Sequence, residues 1–247
     1  MRQINASELA EHPLMVASPQ YGGMCSSIFV KGLSDLAIVG TRYGLPIGTC
    51  LLMNESLITR ARNTCADVFM NSKFQHMIFI DADIGFVAQD VLELLILQIQ
   101  NPKYEIIGAP YKVKSITEDR YAFQMTAKNA KVATDLVSSV PEGITEPIEV
   151  SGIATGFMMI RREVFEKFKA AFPQYEYIVD TLTEGSYDHA PAVGNKLTQN
   201  FQAEIDKSSG HYLSEDYWFS RRCQEIGIRT WLCPWMHLRH AGTHIFE

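Results

Sequence analysis

Asp81 and Asp83, separated by Ala82, end the uncharged run Met77-Ile78-Phe79-Ile80. A short apolar run rich in β-branched and aromatic residues predicts a strand buried on both faces of a parallel sheet. Side chains at i and i+2 of an extended chain point the same way, so the two carboxylates are expected to converge where the strand runs out. In open α/β sheets that edge receives ligands. Carboxylates held this close repel each other and raise one another's pKa unless a cation neutralises them. Oxygen-only ligands favour Mg²⁺ or Mn²⁺. A plainer reading makes Asp81 a strand cap and Asp83 the cap of the turn into the next helix.

A second cluster is Ser214-Glu215-Asp216-Tyr217-Trp218. Ser214 as N-cap, with two acidic residues in the first turn, is what helix capping and the helix dipole favour. One of the carboxylates can equally serve as a general base. Neighbours on a helix project about 100° apart, so only one is expected to face a substrate. A third group is the tail containing His237, His240 and His244, where imidazoles are either solvated or ligands. If the tail is helical, His237 and His240 lie one turn apart. Cys223, Cys233, His237 and His240 would supply four zinc ligands, but the cysteines lack a tight C-x-x-C pair. Finally, Thr59-Arg60-Ala61-Arg62-Asn63 carries cations suited to a pyrophosphate or to an ordinary solvated helix face.

The elements that position these residues alternate along the first half. Strands are expected at residues 13–17, 47–53, 77–81 and 104–109, and helices at 26–39, 57–70 and 89–99. Ser18-Pro19 and Gly22-Gly23 punctuate a turn after the first strand. The second helix should bury Ile58, Ala61, Cys65, Val68 and Phe69. This β-α-β order predicts a parallel sheet with right-handed crossovers. Later, short strands are expected at 121–126, 131–136 and 148–150, and a small-residue turn at 151–156. A strand at 157–160, a helix at 161–172, a helix at 214–226 and a strand at 229–233 follow. Residues 181–211 show no periodicity and read as a lid or a disordered segment, with Tyr187, Phe201 and Tyr212 able to stack on a ligand.

Composition narrows the class. A chain of 247 residues that is 47% apolar buries a substantial core and suits a single mixed α/β domain. A net charge of -6 argues against a surface that tracks nucleic acid throughout, although a local basic patch is compatible with it. The five cysteines are odd in number and mostly within apolar segments, which favours a reducing compartment. Met1-Arg2-Gln3-Ile4-Asn5 lacks the apolar core of a signal peptide. The longest apolar stretch, residues 91–99, is too short to span a bilayer and carries Glu93 and Gln98. A soluble cytoplasmic protein is expected.

Four motifs in order resemble the GT-A nucleotide-sugar glycosyltransferases: Asp81-Ala82-Asp83, Gly152-Ile153-Ala154-Thr155-Gly156-Phe157, Glu215-Asp216 and His240-Ala241-Gly242. The resemblance covers nearly the whole chain. It is closest to the short, single-domain, family 2-like members of bacteria, phages and large viruses, which would place the protein in a host cytoplasm if virus-encoded. It implies a GT-A (Rossmann-like) fold with a mixed, mainly parallel sheet flanked by helices. Residues 1–110 would form the nucleotide-binding half and residues 111–247 the acceptor half.

By the same resemblance, Asp83 would bind Mn²⁺ or Mg²⁺ directly, and Asp81 would contact the ribose or a metal-bound water. His240 would be a late metal or diphosphate ligand. Asp216 would be the catalytic base, with Glu215 orienting the acceptor. Gly152 and Gly156 would let the backbone approach the donor. Ala17, Ser18 and Pro19 would border the base, Arg60 and Asn63 the ribose or pyrophosphate, and Ala82 would join Asp81 and Asp83 in binding the donor. The implied partners are a nucleoside-diphosphate sugar, most often a UDP-sugar, and an acceptor glycan or a modified phage DNA base. A sugar-phosphate nucleotidyltransferase would carry Lys or Arg in a Gly-rich loop after the first strand, and residues 18–27 have neither. A non-catalytic nucleotide-sugar-binding module is the other alternative, and the intact motifs argue against it.

Overall fold

Apolar side chains decide where each strand sits. The computed structural model describes residues 5–117, 120–125, 145–180, 185–186, 191–207, 209–242 and 244–246. Its first half runs α1 (Ala6–Ala10), β1 (Leu14–Gln20), α2 (Ser27–Tyr43), β2 (Ile47–Met53), α3 (Ile58–Met70), β3 (His76–Ile80), β4 (Ile84–Gly85), α4 (Ala88–Gln100) and β5 (Ile106–Gly108). There follow β6 (Phe123–Gln124), β7 (Ile148–Val150), β8 (Gly152–Ile153), β9 (Phe157–Arg161), α5 (Arg162–Ala171), β10 (Glu176–Ile178) and β11 (Gly185–Ser186). The last elements are β12 (Lys196–Thr198), β13 (Glu204–Ile205), β14 (Tyr212–Leu213), α6 (Glu215–Glu225), β15 (Thr230–Leu232), β16 (Arg239–Ala241) and β17 (Ile245–Phe246).

Alternate residues of the central strands enter two apolar layers, as the period of two requires. From β1, Leu14 and Val16 enter one layer and Met15 and Ala17 the other; from β3, Ile78 and Ile80 oppose Met77 and Phe79. Helices α2 and α4 cover the first face through Phe29, Leu36, Val91 and Leu95. Helices α3, α5 and α6 cover the second through Phe69, Phe165, Phe168 and Trp218.

Among the described residues the central sheet has eight strands in the order β11-β2-β1-β3-β9-β5-β15-β7. Strands β2, β1 and β3 are parallel, as expected. The expected run of parallel neighbours breaks at β5, because β9 lies between β3 and β5, antiparallel to both. The physical reason is burial: Phe157 and Met159 fill one layer and Met158 and Ile160 the other, so β9 belongs in a sheet interior. Strands β9, β15 and β7 therefore complete the sheet begun by the first half.

Other expectations shift as well. Pro19 continues β1 rather than ending it, because β1 pairs with β3 only as far as Ala17, and beyond that the ring meets β2 alone. Ile58 is 43% exposed instead of buried. Gly152 and Ile153 form a strand paired with β6, not a turn. Described parts of 181–211 are paired: β12 with β10, β13 with β14, and Gly185–Ser186 with β2. Phe201 is fully buried against Phe79 and Phe219, so it stacks on the core and not on a ligand. The strand expected at 131–136 and Tyr187 lie outside the described residues.

Two polar devices fix the scaffold. Arg162, at the start of α5, donates to the carbonyls of Phe69 and Met70 at the C-terminus of α3 and to those of Ser72 and Phe74 in the turn beyond it. At the opposite end of the sheet from Asp81, the buried His76 pairs through Nδ1 with Gln98 Oε1 at 2.7 Å and meets His12 through Nε2 at 3.3 Å. Burial, opposed by Gln98, pushes the His76 imidazole down to about 4. An unfolded histidine titrates near 6.5, so between about 6.5 and 4 the unfolded chain holds the extra proton and stability falls as pH drops. Denaturant unfolding should therefore show a loss on the order of 2 kcal/mol between about pH 7 and about pH 4.5. His76→Asn should flatten that slope; an unchanged slope would place the proton-sensitive group elsewhere.

Candidate active site

Strand β3 stops at Ile80, and the next three residues do not stay extended. They turn: the Ile84 amide donates to the Asp81 carbonyl at 2.9 Å, and the Ser26 amide donates to the Ala82 carbonyl at 2.8 Å. The i, i+2 rule therefore lapses, and each carboxylate takes a cation of its own. Asp81 accepts from Arg62 Nη2 at 2.9 Å on Oδ1 and 3.3 Å on Oδ2. The other arm of the same guanidinium, Nε, reaches Glu215 Oε1 at 3.1 Å. Arg62 is only 3% exposed, lies over the Phe79 ring at 5.3 Å and keeps Nη1 buried without a partner. Burial disfavours its charge, but Asp81 and Glu215 outweigh this and hold its pKa above the ordinary value.

Asp83 instead faces Lys114 and His240, both on Oδ2, with His240 Nε2 at 3.4 Å. Burial raises this carboxyl, but His240 and Lys114 outweigh it and hold the group at about 2. His240 stands on a strand, β16, opposite Ile84 of β4; the tail is not helical there, so it and His237 do not form a one-turn pair. The Lys112 carbonyl accepts from His240 Nδ1 at 2.9 Å, which turns Nε2 toward Asp83.

The acidic pair at the start of α6 divides its roles. Glu215 lines the cleft and is committed to Arg62. Asp216 is set back and 8% exposed. Ser214 uses its hydroxyl to donate to Asp216 Oδ1 rather than accepting from the helix backbone as a side-chain cap, and the Tyr217 amide donates to the same oxygen at 2.8 Å. Both donors fall on Oδ1, so neither occupies Oδ2. Burial, then the neighbouring Glu215 charge, push the Asp216 carboxyl above its ordinary value.

Tyr111 completes this corner. Its buried phenol is pushed far up by burial and by the charges of Asp81 and Asp216, and its ring meets His240 edge-on at 5.2 Å. The two glycines expected to admit a donor admit the chain's own rings instead. A Cβ on Gly156 would sit 2.4 Å from the Tyr111 hydroxyl, and one on Gly152 would sit 2.9 Å from Tyr217 Cδ1.

The remaining expected positions scatter. Ala17 and Ser18 are fully buried, and of that trio Pro19 alone lines the cleft. Arg60 is turned to the buried Glu55, with Nη2 to Oε1 at 2.9 Å. Asn63 is buried and clamps the Phe201 backbone through both ends of its amide, at 3.0 and 2.8 Å. The cleft itself, about 570 Å³, is lined by Pro19, Tyr21, Met24, Ser26, Ile58, Arg62, Asp81, Ala82, Asp83 and Glu215. Sequence reasoning missed Tyr21, Met24, Tyr111, Lys112 and Lys114. The alternation Tyr111-Lys112-Val113-Lys114, directly after a strand, was the available signal.

This fold can be superposed on A197 from STIV with a TM-score of 0.54 over 93% of this chain and 86% of that one, at 15% identity. The chain has a GT-A fold. Two further GT-A structures match less well. GalNAc-T7 with UDP, GalNAc and Mn²⁺ gives a TM-score of 0.45 at 13% identity, over 93% of this chain and 44% of that one. S. aureus TarS 1-349 gives 0.46 at 11% identity, over 92% and 59%. No protein-family model matches the sequence, and no curated protein does. Among the described residues, no helix of this GT-A fold is long and apolar enough to cross a membrane.

Asp81 and Asp83 do not pool with His240 into one ligand set: among the described residues no group of three or more His, Cys, Asp or Glu side chains is placed to hold a metal ion. Arg62 instead holds Asp81 and Glu215. Removing one partner of a buried ion pair costs about 3–5 kcal/mol because it strands the others. Arg62→Met should lower stability by roughly that amount in urea unfolding, and Arg62→Lys, which cannot fork, by less. An unchanged midpoint for Arg62→Met would mean that Asp81 and Glu215 are adequately solvated without it.

Proposed function

We propose that this protein transfers a sugar from a nucleoside-diphosphate sugar to an acceptor hydroxyl. The observation that carries this reading is the contrast between two carboxylates of the site. Asp83, beside His240, is held ionised, whereas Asp216, buried beside Glu215, is made more basic. A cation site for the leaving diphosphate needs the first, and an incoming hydroxyl the second. The GT-A fold agrees with this assignment.

The Asp83 carboxylate and His240 Nε2 are the side-chain groups that would hold a divalent ion, Mn²⁺ or Mg²⁺, at the diphosphate end of the site. When bound, such an ion supplies Lewis-acid stabilisation to the departing diphosphate. Asp83 and His240 hold this end, the Lys112 carbonyl orients His240, and Arg62 keeps Asp81 and Glu215 in place without leaving the protein interior. Asp216 Oδ2 accepts the proton of the acceptor hydroxyl as its oxygen bonds to the anomeric carbon and the carbon–oxygen bond to the diphosphate breaks. With one base and in-line attack the configuration inverts, through a transition state of oxocarbenium character. The acceptor is a glycan or a hydroxyl-bearing modified DNA base, and the donor a UDP-sugar.

Asp216→Asn should retain nucleoside-diphosphate binding while transfer falls by about 10²–10⁴; near-normal turnover would remove Asp216 as base. Because the base acts deprotonated, activity should fall as pH drops through its raised pKa, giving an acid limb above the ordinary aspartate value near 3.9. An acid limb at or below that value would contradict the role. Asp83→Ala should abolish the Mn²⁺-dependent part of UDP or GDP binding in calorimetry, and unchanged Mn²⁺ dependence would refute the metal assignment.

A further inference from the structure

The segment after β5 does more than connect. The Ala122 amide donates to the Tyr111 carbonyl and the Val113 amide to the Arg120 carbonyl, both at 2.9 Å, and Lys112 bridges Tyr121 in antiparallel fashion. This pairing holds a short strap beside the Asp81–Asp83 turn. Residues of the strap then serve different ends: Tyr111 is buried under the site, the Lys112 carbonyl orients His240, and Lys114 puts its ammonium on Asp83. The last contact falls on Oδ2, the oxygen that His240 also faces, so the position a metal ion would share is already covered by a cation. The Lys114 side chain is 40% exposed and that of Asp83 37%, so the pair opens to solvent and the ammonium has room to move.

We propose that Lys114 is a resident cation of the diphosphate site, occupying Asp83 in the free protein and passing to the diphosphate when metal and nucleotide enter together. This rests on the reading of Asp83 and His240 given above. Two cations cannot share one carboxylate oxygen without strong mutual repulsion. The lysine therefore opposes binding of a divalent ion alone. The diphosphate of a nucleoside-diphosphate sugar, with two negative charges (free UDP or GDP carries a further one), changes the balance. Together with the divalent ion it sums to zero, and Asp83 with Lys114 sums to zero beside it; without Lys114 the loaded site carries one excess negative charge. Lysine suits the exchange, being a point charge on a flexible stem rather than a fixed fork.

Lys114→Met separates the two roles, since it keeps the length of the side chain and removes the charge. Binding of Mn²⁺ alone, followed by electron paramagnetic resonance, should tighten about tenfold, whereas UDP or GDP binding in the presence of Mn²⁺, followed by calorimetry, should weaken about tenfold. Lys114→Arg should keep the wild-type pattern in both. Loss of both affinities together in Lys114→Met, or no change in either, would overturn the proposal. Wild-type protein that binds neither UDP nor GDP with Mn²⁺ would instead overturn the site reading on which it stands, so the two failures are distinguishable.

Discussion

A single buried guanidinium holds the two ends of the cleft together. Arg62 joins Asp81, at the end of β3, to Glu215, more than a hundred residues later at the start of α6. A buried ion pair adds little net stability over apolar packing of the same shape, but once present it tolerates few alternative arrangements. Its geometry is inherited from α3, and α3 is fixed at several points. Arg162 ties its last carbonyls, Asn63 ties it to Phe201, and Cys65 and Phe69 bury its inner face. Any displacement of α3 would move two carboxylates at once.

The parts legible in the sequence are those governed by local period and burial. Strands β1, β2, β3 and β9 and the helices α2 to α6 follow from apolar spacing and fall within a few residues of expectation. The position of β9 was not legible, because an apolar run buried on both faces states that it is internal but not which neighbours it takes. The site was legible in its carboxylates and less so in their partners. Asp83 and His240 lie 3.4 Å apart, though one belongs to the turn after β3 and the other to β16. Asp81 is drawn to Arg62 because the chain turns after Ile80, which the spacing of two aspartates does not reveal.

The glycines and the helix cations failed for a related reason. Gly152 and Gly156 are small because Tyr217 and Tyr111 need the space, and a sequence does not say what fills the room a glycine leaves. On α3, Arg60 and Arg62 are two residues apart and part company: one turns to the buried Glu55, the other to Asp81 and Glu215. Only the second reaches the cleft. Helical position alone does not choose between them, because a buried arginine needs carboxylates contributed by distant segments.

The antiparallel β9 has a consequence for how the chain is made. Until Phe157–Arg161 emerges from the ribosome, β3 has β1 on one side and nothing on the other. Roughly 80 residues separate the end of β3 from the end of β9, which at about 5–20 residues per second leaves that edge bare for several seconds. An uncovered, uncharged apolar strand is a site for pairing with other chains. The aspartates at its end, whatever they later bind, meanwhile place charge beside it, the kind of residue that discourages aggregation during synthesis.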